Sequence, residues 1–197
     1  MRAIELNNIN KLIINIEDIA KVLSINKDSA KVTANRYVKN RSLLRIKKNF
    51  YIATNKYEKL NEKELFQIAN AIQVPSYISL ASALTYYNIS TQQLRGIIES
   101  VTTKKTNSVK VKEISFNFIL INKNLYTGFK LENDIFIASP EKALADIVYL
   151  SSLGRYSCDF DAIDFNKLNK NKITASIRVT NQRTIKYWDT ICKRYKI

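Results

Sequence analysis

Apolar residues at Ile16, Ile19, Ala20 and Leu23 follow the i, i+3, i+4, i+7 spacing of a helix with one buried face. Asn15 stands at the N-cap position, and Asp18 three residues on completes a capping box. Ser24-Ile25-Asn26 reads as a short turn, with Asn26 placed to cap the next element. A second helix is expected over residues 27–40, with Ala30, Ala34, Tyr37 and Val38 on its inner face. The small residues at 30 and 34 allow a close approach to the first helix. Lys27, Asp28, Lys31, Val32, Asn35, Arg36 and Lys39 are left on the opposite face. Two short apolar runs follow, residues 43–46 and 50–53, joined by Lys47-Lys48-Asn49. Asparagine tolerates positive φ and can make the hairpin turn. A helix, a three-residue turn, a cationic helix and a lysine-tipped hairpin form the order of a winged helix-turn-helix.

After Lys56 the pattern changes. Glu62–Ile72 is amphipathic, and Pro75-Ser76 punctuates it. Ser79 is placed to cap a helix over residues 80–87. Residues 96–101, 114–121 and 135–137 read as strands. Ser139-Pro140-Glu141 opens a helix through Leu150: serine caps, proline suits the first helical position, and glutamate complements the dipole. Ala143, Leu144, Ile147 and Val148 supply its buried stripe. Ile185, Trp188, Ile191 and Cys192 predict a last helix over residues 184–195. The expected fold is α+β, an N-terminal winged helix-turn-helix (residues 1–56) followed by a larger mixed α/β domain (residues 57–197).

Charge sharpens this division. The 197-residue chain carries a formal +15 and a pI near 9.8. Residues 1–56 hold 12 Lys and Arg against 4 Asp and Glu; residues 57–165 hold 11 against 12; residues 166–197 hold 9 against 1. Two basic blocks around a neutral middle point to polyanion contact, where evenly spread charge would serve solubility; the alternative is two solvated basic faces. In the first block Asn35 is the residue type that bonds adenine bidentately, and Lys31 or Arg36 suits guanine. The alternatives are a solvent-facing Asn35 and an Arg36 paired with a carboxylate. Lys27, Lys31, Asn35, Arg36 and Lys39 are therefore the candidate groove residues, with Lys47 and Lys48 on the phosphate backbone. In the second block Arg183, Lys186, Lys193 and Arg194 are candidates for a second nucleic-acid surface, with RNA as one ligand.

Catalytic chemistry finds little support. The chain has no histidine, which removes the Ser-His-Asp and Cys-His systems and histidine metal sites. Cys158 and Cys192 are too few for a thiolate metal site and too far apart for a redox pair. Three glycines leave no phosphate-binding loop. Asp159, Asp161 and Asp164 could bind Mg²⁺, but the spacing is not a calcium loop and no nuclease signature completes it. Lys104 and Lys105, after a strand, are either a phosphate-contacting loop or a solvated strand end. Tyr77, Tyr86 and Tyr87 read as core and rim aromatics, with base-stacking platforms as the alternative. No enzyme activity, cofactor or metal is expected. No run approaches the roughly 18 apolar residues of a spanning helix, and the N-terminus, with Ile4, Leu6 and Ile9 broken by Asn and Glu, does not read as a signal peptide. A cytoplasmic protein without membrane contact is the expectation.

Residues 75–87 (PSYISLASALTYY), 98–105 (IESVTTKK) and 137–150 (IASPEKALADIVYL), with RIKKNFYIA at residues 45–53, resemble the AbiEi-type antitoxins of type IV toxin–antitoxin systems, which are linked to abortive phage infection. The resemblance covers about residues 10–150. Asn49 departs from it, since that family usually has glycine in the wing. The resemblance implies a winged helix that binds repeats in its own operator and represses the operon. It also implies a second domain that counters a nucleotidyltransferase-like toxin, without a stable complex between the two. The rival readings are a plain winged-helix regulator whose second domain senses a ligand or dimerises, and a nucleic-acid-processing enzyme with a winged-helix targeting domain.

Overall fold

A computed structural model describes residue 9, residues 11–92 and residues 94–197. The leader reading of the N-terminus rested partly on Ile4 and Leu6, which lie outside the described residues. The chain is mixed α and β and divides into two compact units, residues 1–68 and 69–197. The division falls within a helix, beyond the composition change at Lys56.

In the first unit, β1 (Ile14–Asn15) leads into α1 (Ile16–Val22), and α2 (Lys27–Lys39), β2 (Leu43–Lys47) and β3 (Phe50–Ala53) follow. The capping box at α1 forms as expected: the Asp18 N–H donates to Asn15 Oδ1 at 2.8 Å, and the Asn15 N–H donates to the Asp18 carboxylate at 3.0 Å. Asn26 caps α2 by accepting the Ser29 N–H at 2.8 Å. Ile16, Ile19, Ala30, Ala34 and Tyr37 meet in one core with Leu43, Tyr51 and Ala53, so the buried stripe is the one the spacing predicts. The strands order β1-β3-β2, all antiparallel. The β2–β3 register shifts between Arg45 and Lys47, and Asn49 takes φ +65° in the turn. This local bulge keeps Lys47 within the strand, one residue further than the hydrophobic run indicated. A short α3 (Thr54–Tyr57) and then α4 (Glu62–Ile72) follow.

The second unit is built on a six-stranded mixed sheet of β4 (Ser76–Ile78), β5 (Ile97–Thr102), β6 (Asn107–Val111), β7 (Ile114–Leu120), β8 (Phe129–Glu132) and β9 (Ile135–Ala138). Its order is β6-β7-β5-β4-β9-β8, with β4–β9 and β5–β7 parallel. Its helices are α5 (Leu80–Tyr86), α6 (Pro140–Ser152), α7 (Lys170–Arg178) and α8 (Gln182–Tyr195). Helix α5 packs on β5 and α6, and α6 packs on α7 and α8. The Ser152 and Thr184 hydroxyls bond at 2.8 Å between α6 and α8, and the indole N–H of buried Trp188 donates to Thr174 of α7 at 3.0 Å.

The start of α5 differs from its sequence reading. Ser79 precedes the helix, but its hydroxyl does not cap it; it donates to Asp146 at 2.8 Å. The Glu99 carboxylate of β5 takes over that role, accepting the Ala81 N–H at 3.2 Å and the Tyr156 hydroxyl at 2.8 Å. Burial raises the Glu99 pKa against these bonds. Ser139 does cap α6, accepting the Lys142 N–H at 3.2 Å, with Pro140 first in the helix. Lys142 and Asp146, one turn apart in α6, form an ion pair at 2.5 Å, 8% and 1% exposed. The Tyr77 hydroxyl completes the cluster, donating to Asp146 at 2.9 Å. Gly128, at φ +75°, makes room for this lysine: a Cβ there would sit 3.0 Å from Lys142 Cγ.

Candidate nucleic-acid interface

The outward face of α2 is set by the burial of Ala30, Ala34 and Tyr37 on the other side. Lys27, Lys31, Asn35, Arg36 and Lys39 are all exposed, as expected, and share the outward side of the helix. They are not equivalent. Lys27 pairs with Glu17 of α1 at 2.9 Å, and Lys31 pairs with Asp28 at 2.9 Å. The lysine hydrogen bonds hold the Glu17 and Asp28 carboxyls below the ordinary carboxylate range, so both stay ionised partners. Such exposed pairs are weak and exchange readily for a phosphate. Arg36 lies over the Tyr37 ring at 5.6 Å and has no carboxylate partner among the described residues; Lys39 has none either.

Asn35 is held from the hairpin. The Arg45 guanidinium of β2 donates to Asn35 Oδ1, and the same guanidinium lies 5.6 Å from the Tyr51 ring centre. One lone pair of the amide oxygen is thereby occupied. The second lone pair and both amide N–H groups remain, which is the donor–acceptor set adenine requires. Sequence reading named Asn35 but missed Arg45, because the link joins residues ten apart across two elements. Val32, in the middle of the same face, is 69% exposed. An apolar group set among cations and an amide matches the methyl group of thymine in the major groove.

The hairpin adds Lys47, whose ammonium lies 4.3 Å from the Phe50 ring centre, and Lys48, exposed at the turn and without a carboxylate partner among the described residues. The first unit thus presents a helix face and a hairpin tip that are both net positive, with Asp28 the one acid on the helix face, linked by the Arg45–Asn35 bond.

In the second unit, Arg183, Lys186, Lys193 and Arg194 are exposed on the side of α8 opposite buried Thr184, Trp188 and Ile191. Arg194 is partly occupied by Asp161 at 3.4 Å; the other three have no carboxylate partner among the described residues. The three aspartates have structural duties: Asp159 and Asp164 accept N–H groups of single 3₁₀ turns, and Asp161 accepts the Tyr195 hydroxyl at 2.6 Å. Among the described residues no cluster of three acidic or thiol side chains could hold a metal ion. Burial pushes the Cys158 thiol up to about 12, with Glu99 and Asp159 adding to it, and burial also raises Cys192. Neither is a ready thiolate nucleophile.

Tyr77 is fully buried, and the half-buried Tyr86 and Tyr87 donate to Glu132 at 3.5 and 3.3 Å. These rings are committed to the fold. Lys104 and Lys105 are exposed after β5, with the Lys104 N–H bonded to Thr102. No helix among the described residues is long and apolar enough to cross a membrane. No protein-family model matches the chain, and no curated protein matches it in sequence.

Proposed function

We propose that the chain is a sequence-specific DNA-binding regulator whose first unit is a winged helix. In this reading α2 lies in the major groove and the β2–β3 hairpin is the wing beside it. The observation that carries it is the exposed outer face of α2, with Lys27, Lys31, Val32, Asn35, Arg36 and Lys39 together and Asn35 tied by Arg45 to a hairpin bearing Lys47 and Lys48. The cations neutralise phosphates and supply sequence-independent affinity. Asn35 and Val32 supply adenine and thymine discrimination. We extend the proposal, on the family resemblance, to an antitoxin that represses its own operon and counters a nucleotidyltransferase-like toxin without a stable complex. The C-terminal cations then form a second nucleic-acid surface used against the toxin. The protein acts as a binder in the cytoplasm, not as an enzyme.

The test is binding to the DNA upstream of this gene against random duplex, across a salt series. Tighter binding to the upstream DNA is expected, with a log–log salt slope of roughly −0.9 per neutralised phosphate. Equal, weak binding to both sinks the regulator reading. Within the specific complex, Asn35→Ala is expected to cost about 1–3 kcal/mol on the upstream DNA and little on random duplex. A similar loss on both would remove Asn35 from base readout. For the second surface, neutralising Arg183, Lys186, Lys193 and Arg194 together is expected to abolish rescue from the co-expressed toxin while upstream DNA binding persists. Rescue that survives the fourfold change rejects that surface.

A further inference from the structure

The second unit contains a cavity that DNA binding by the first unit leaves unused. It measures about 480 Å³, within the usual range of small-ligand sites, and opens to solvent. Three rings line it: Tyr126, Phe129 and Phe136, with Val74 and Pro75 beside them. The Tyr126 and Phe129 rings are 4.8 Å apart at 59°, and Phe129 and Phe136 are 6.2 Å apart at 78°. Their planes are inclined to one another, so they form walls and not a single stack. The arrangement is fixed from behind. Tyr77 stacks on Phe129 at 4.5 Å and 15°, and its hydroxyl is anchored on buried Asp146 at 2.9 Å.

The apolar walls remain wet, with Val74 59% and Phe136 44% exposed. Two of the polar lining groups are already used. Asn70 spans the Phe136 backbone, accepting its N–H at 2.7 Å and donating to its carbonyl at 3.4 Å, and the Ser76 hydroxyl donates to the Gln73 carbonyl at 2.5 Å. The Asp134 carboxylate is not used: it has neither a hydrogen bond nor an ion pair among the described residues. It is the only ionisable acid or base among the lining residues apart from the Tyr126 phenol, whose pKa burial raises. Asp134 is carried on a two-residue hairpin turn between β8 and β9, where Asn133 and Asp134 take φ +49° and +62°. Both positive angles are those of a tight type I′ turn, which fixes where the Asp134 backbone stands at the rim.

Ring faces carry the negative side of the aromatic quadrupole and attract a cation within about 6 Å of the centroid. A lone carboxylate at the rim adds attraction of the same sign. A neutral guest would gain at most a hydrogen bond from Asp134, without the charge attraction, and an anion would be repelled by it. We propose that this cavity binds a small organic cation, an alkylated or aryl-bearing ammonium whose charged head sits between the rings and Asp134. The site is independent of the DNA-binding reading.

The full chain titrated with benzyltrimethylammonium chloride at fixed chloride, followed by NMR of the aromatic protons, tests it. Benzyl alcohol is the comparison, keeping the ring without the charge. Saturable binding in the millimolar range or tighter is expected, with the Tyr126 and Phe136 rings shifting and benzyl alcohol binding several-fold more weakly. Asp134→Asn is expected to weaken the cation on the order of fivefold. Asparagine accepts the positive φ of that turn, so the fold persists, and an unchanged Trp188 fluorescence unfolding midpoint verifies it. Phe136→Leu is expected to weaken the cation to a similar degree. No saturation in the millimolar range, equal affinity in Asp134→Asn, or equal binding of benzyl alcohol overturns the proposal.

Discussion

Asp146→Ala is expected to destabilise the second unit by about 3–5 kcal/mol, because it leaves the Lys142 ammonium buried without its counter-ion. Lys142 and Asp146 are 8% and 1% exposed and 2.5 Å apart, so water cannot take over either charge. The same change strips the Tyr77 and Ser79 hydroxyls of their shared acceptor. Trp188, the single tryptophan, is buried in this unit and reports its urea unfolding by fluorescence. Lys142→Met is expected to damage the unit by the complementary route. There the carboxyl keeps its burial and loses its cation, so its folded pKa rises further above the unfolded value. That raised group stabilises fully below its unfolded pKa, and the contribution is lost as pH rises through the folded one. Acidification from neutral pH should therefore restore stability to Lys142→Met. Asp146→Ala should show no such rescue on acidification, since it lacks the carboxyl that takes up the proton. The double change Lys142→Met with Asp146→Asn removes both charges and keeps an acceptor for the two hydroxyls. It is expected to recover most of the loss. A loss under about 1 kcal/mol for Asp146→Ala, in the range of an exposed pair, would mean the cluster is hydrated.

That cluster marks where sequence reading stops. In the sequence, Lys142 and Asp146 stand four residues apart in a helix, the spacing of an ordinary surface ion pair. Nothing local says that Tyr77 and Ser79, more than sixty residues earlier, will close over them. The first unit was legible because its determinants are local: Asn15 with Asp18, Asn26, the Ala30–Ala34 spacing and Asn49 act within a few residues of their own positions. β4 was missed because its three residues are all buried and so carry no alternation. β6 and β8 are short edge strands with only two apolar residues each, alternating with polar ones over too few positions to stand out, and α7 shows only Ile173 and Ile177 as buried positions. The face of α2 could be listed residue by residue, but not ranked. That Lys27 pairs with Glu17, and that Arg45 fixes Asn35, depend on contacts between elements. The aromatic cavity was invisible for the same reason: Val74 and Pro75 come from the approach to β4, and its rings come from the region around β8 and β9.

Replacing Arg36, Lys39 and Lys48 together by glutamine is expected to lower affinity for the upstream DNA roughly 100-fold at about 0.15 M salt. These three are chosen because none has a carboxylate partner among the described residues, so their charge is available to phosphate without first breaking an ion pair. Lys27 and Lys31 must leave Glu17 and Asp28, and their contribution is smaller by that exchange. If all three contact phosphates, the log–log salt slope becomes shallower by about 2.7, three contacts at about 0.9 each. Random duplex should lose affinity in the same proportion, because phosphates carry no sequence information. Asn35→Ala should do the reverse, lowering the ratio of upstream to random binding and leaving the slope unchanged. The two measurements separate what the cations do from what the amide does. An unchanged salt slope in the triple variant would place the DNA on another face of the unit, whatever happened to affinity. A reduced slope with an unchanged ratio would locate the phosphate contacts on α2 and the hairpin, with base readout still resting on Asn35 and Val32.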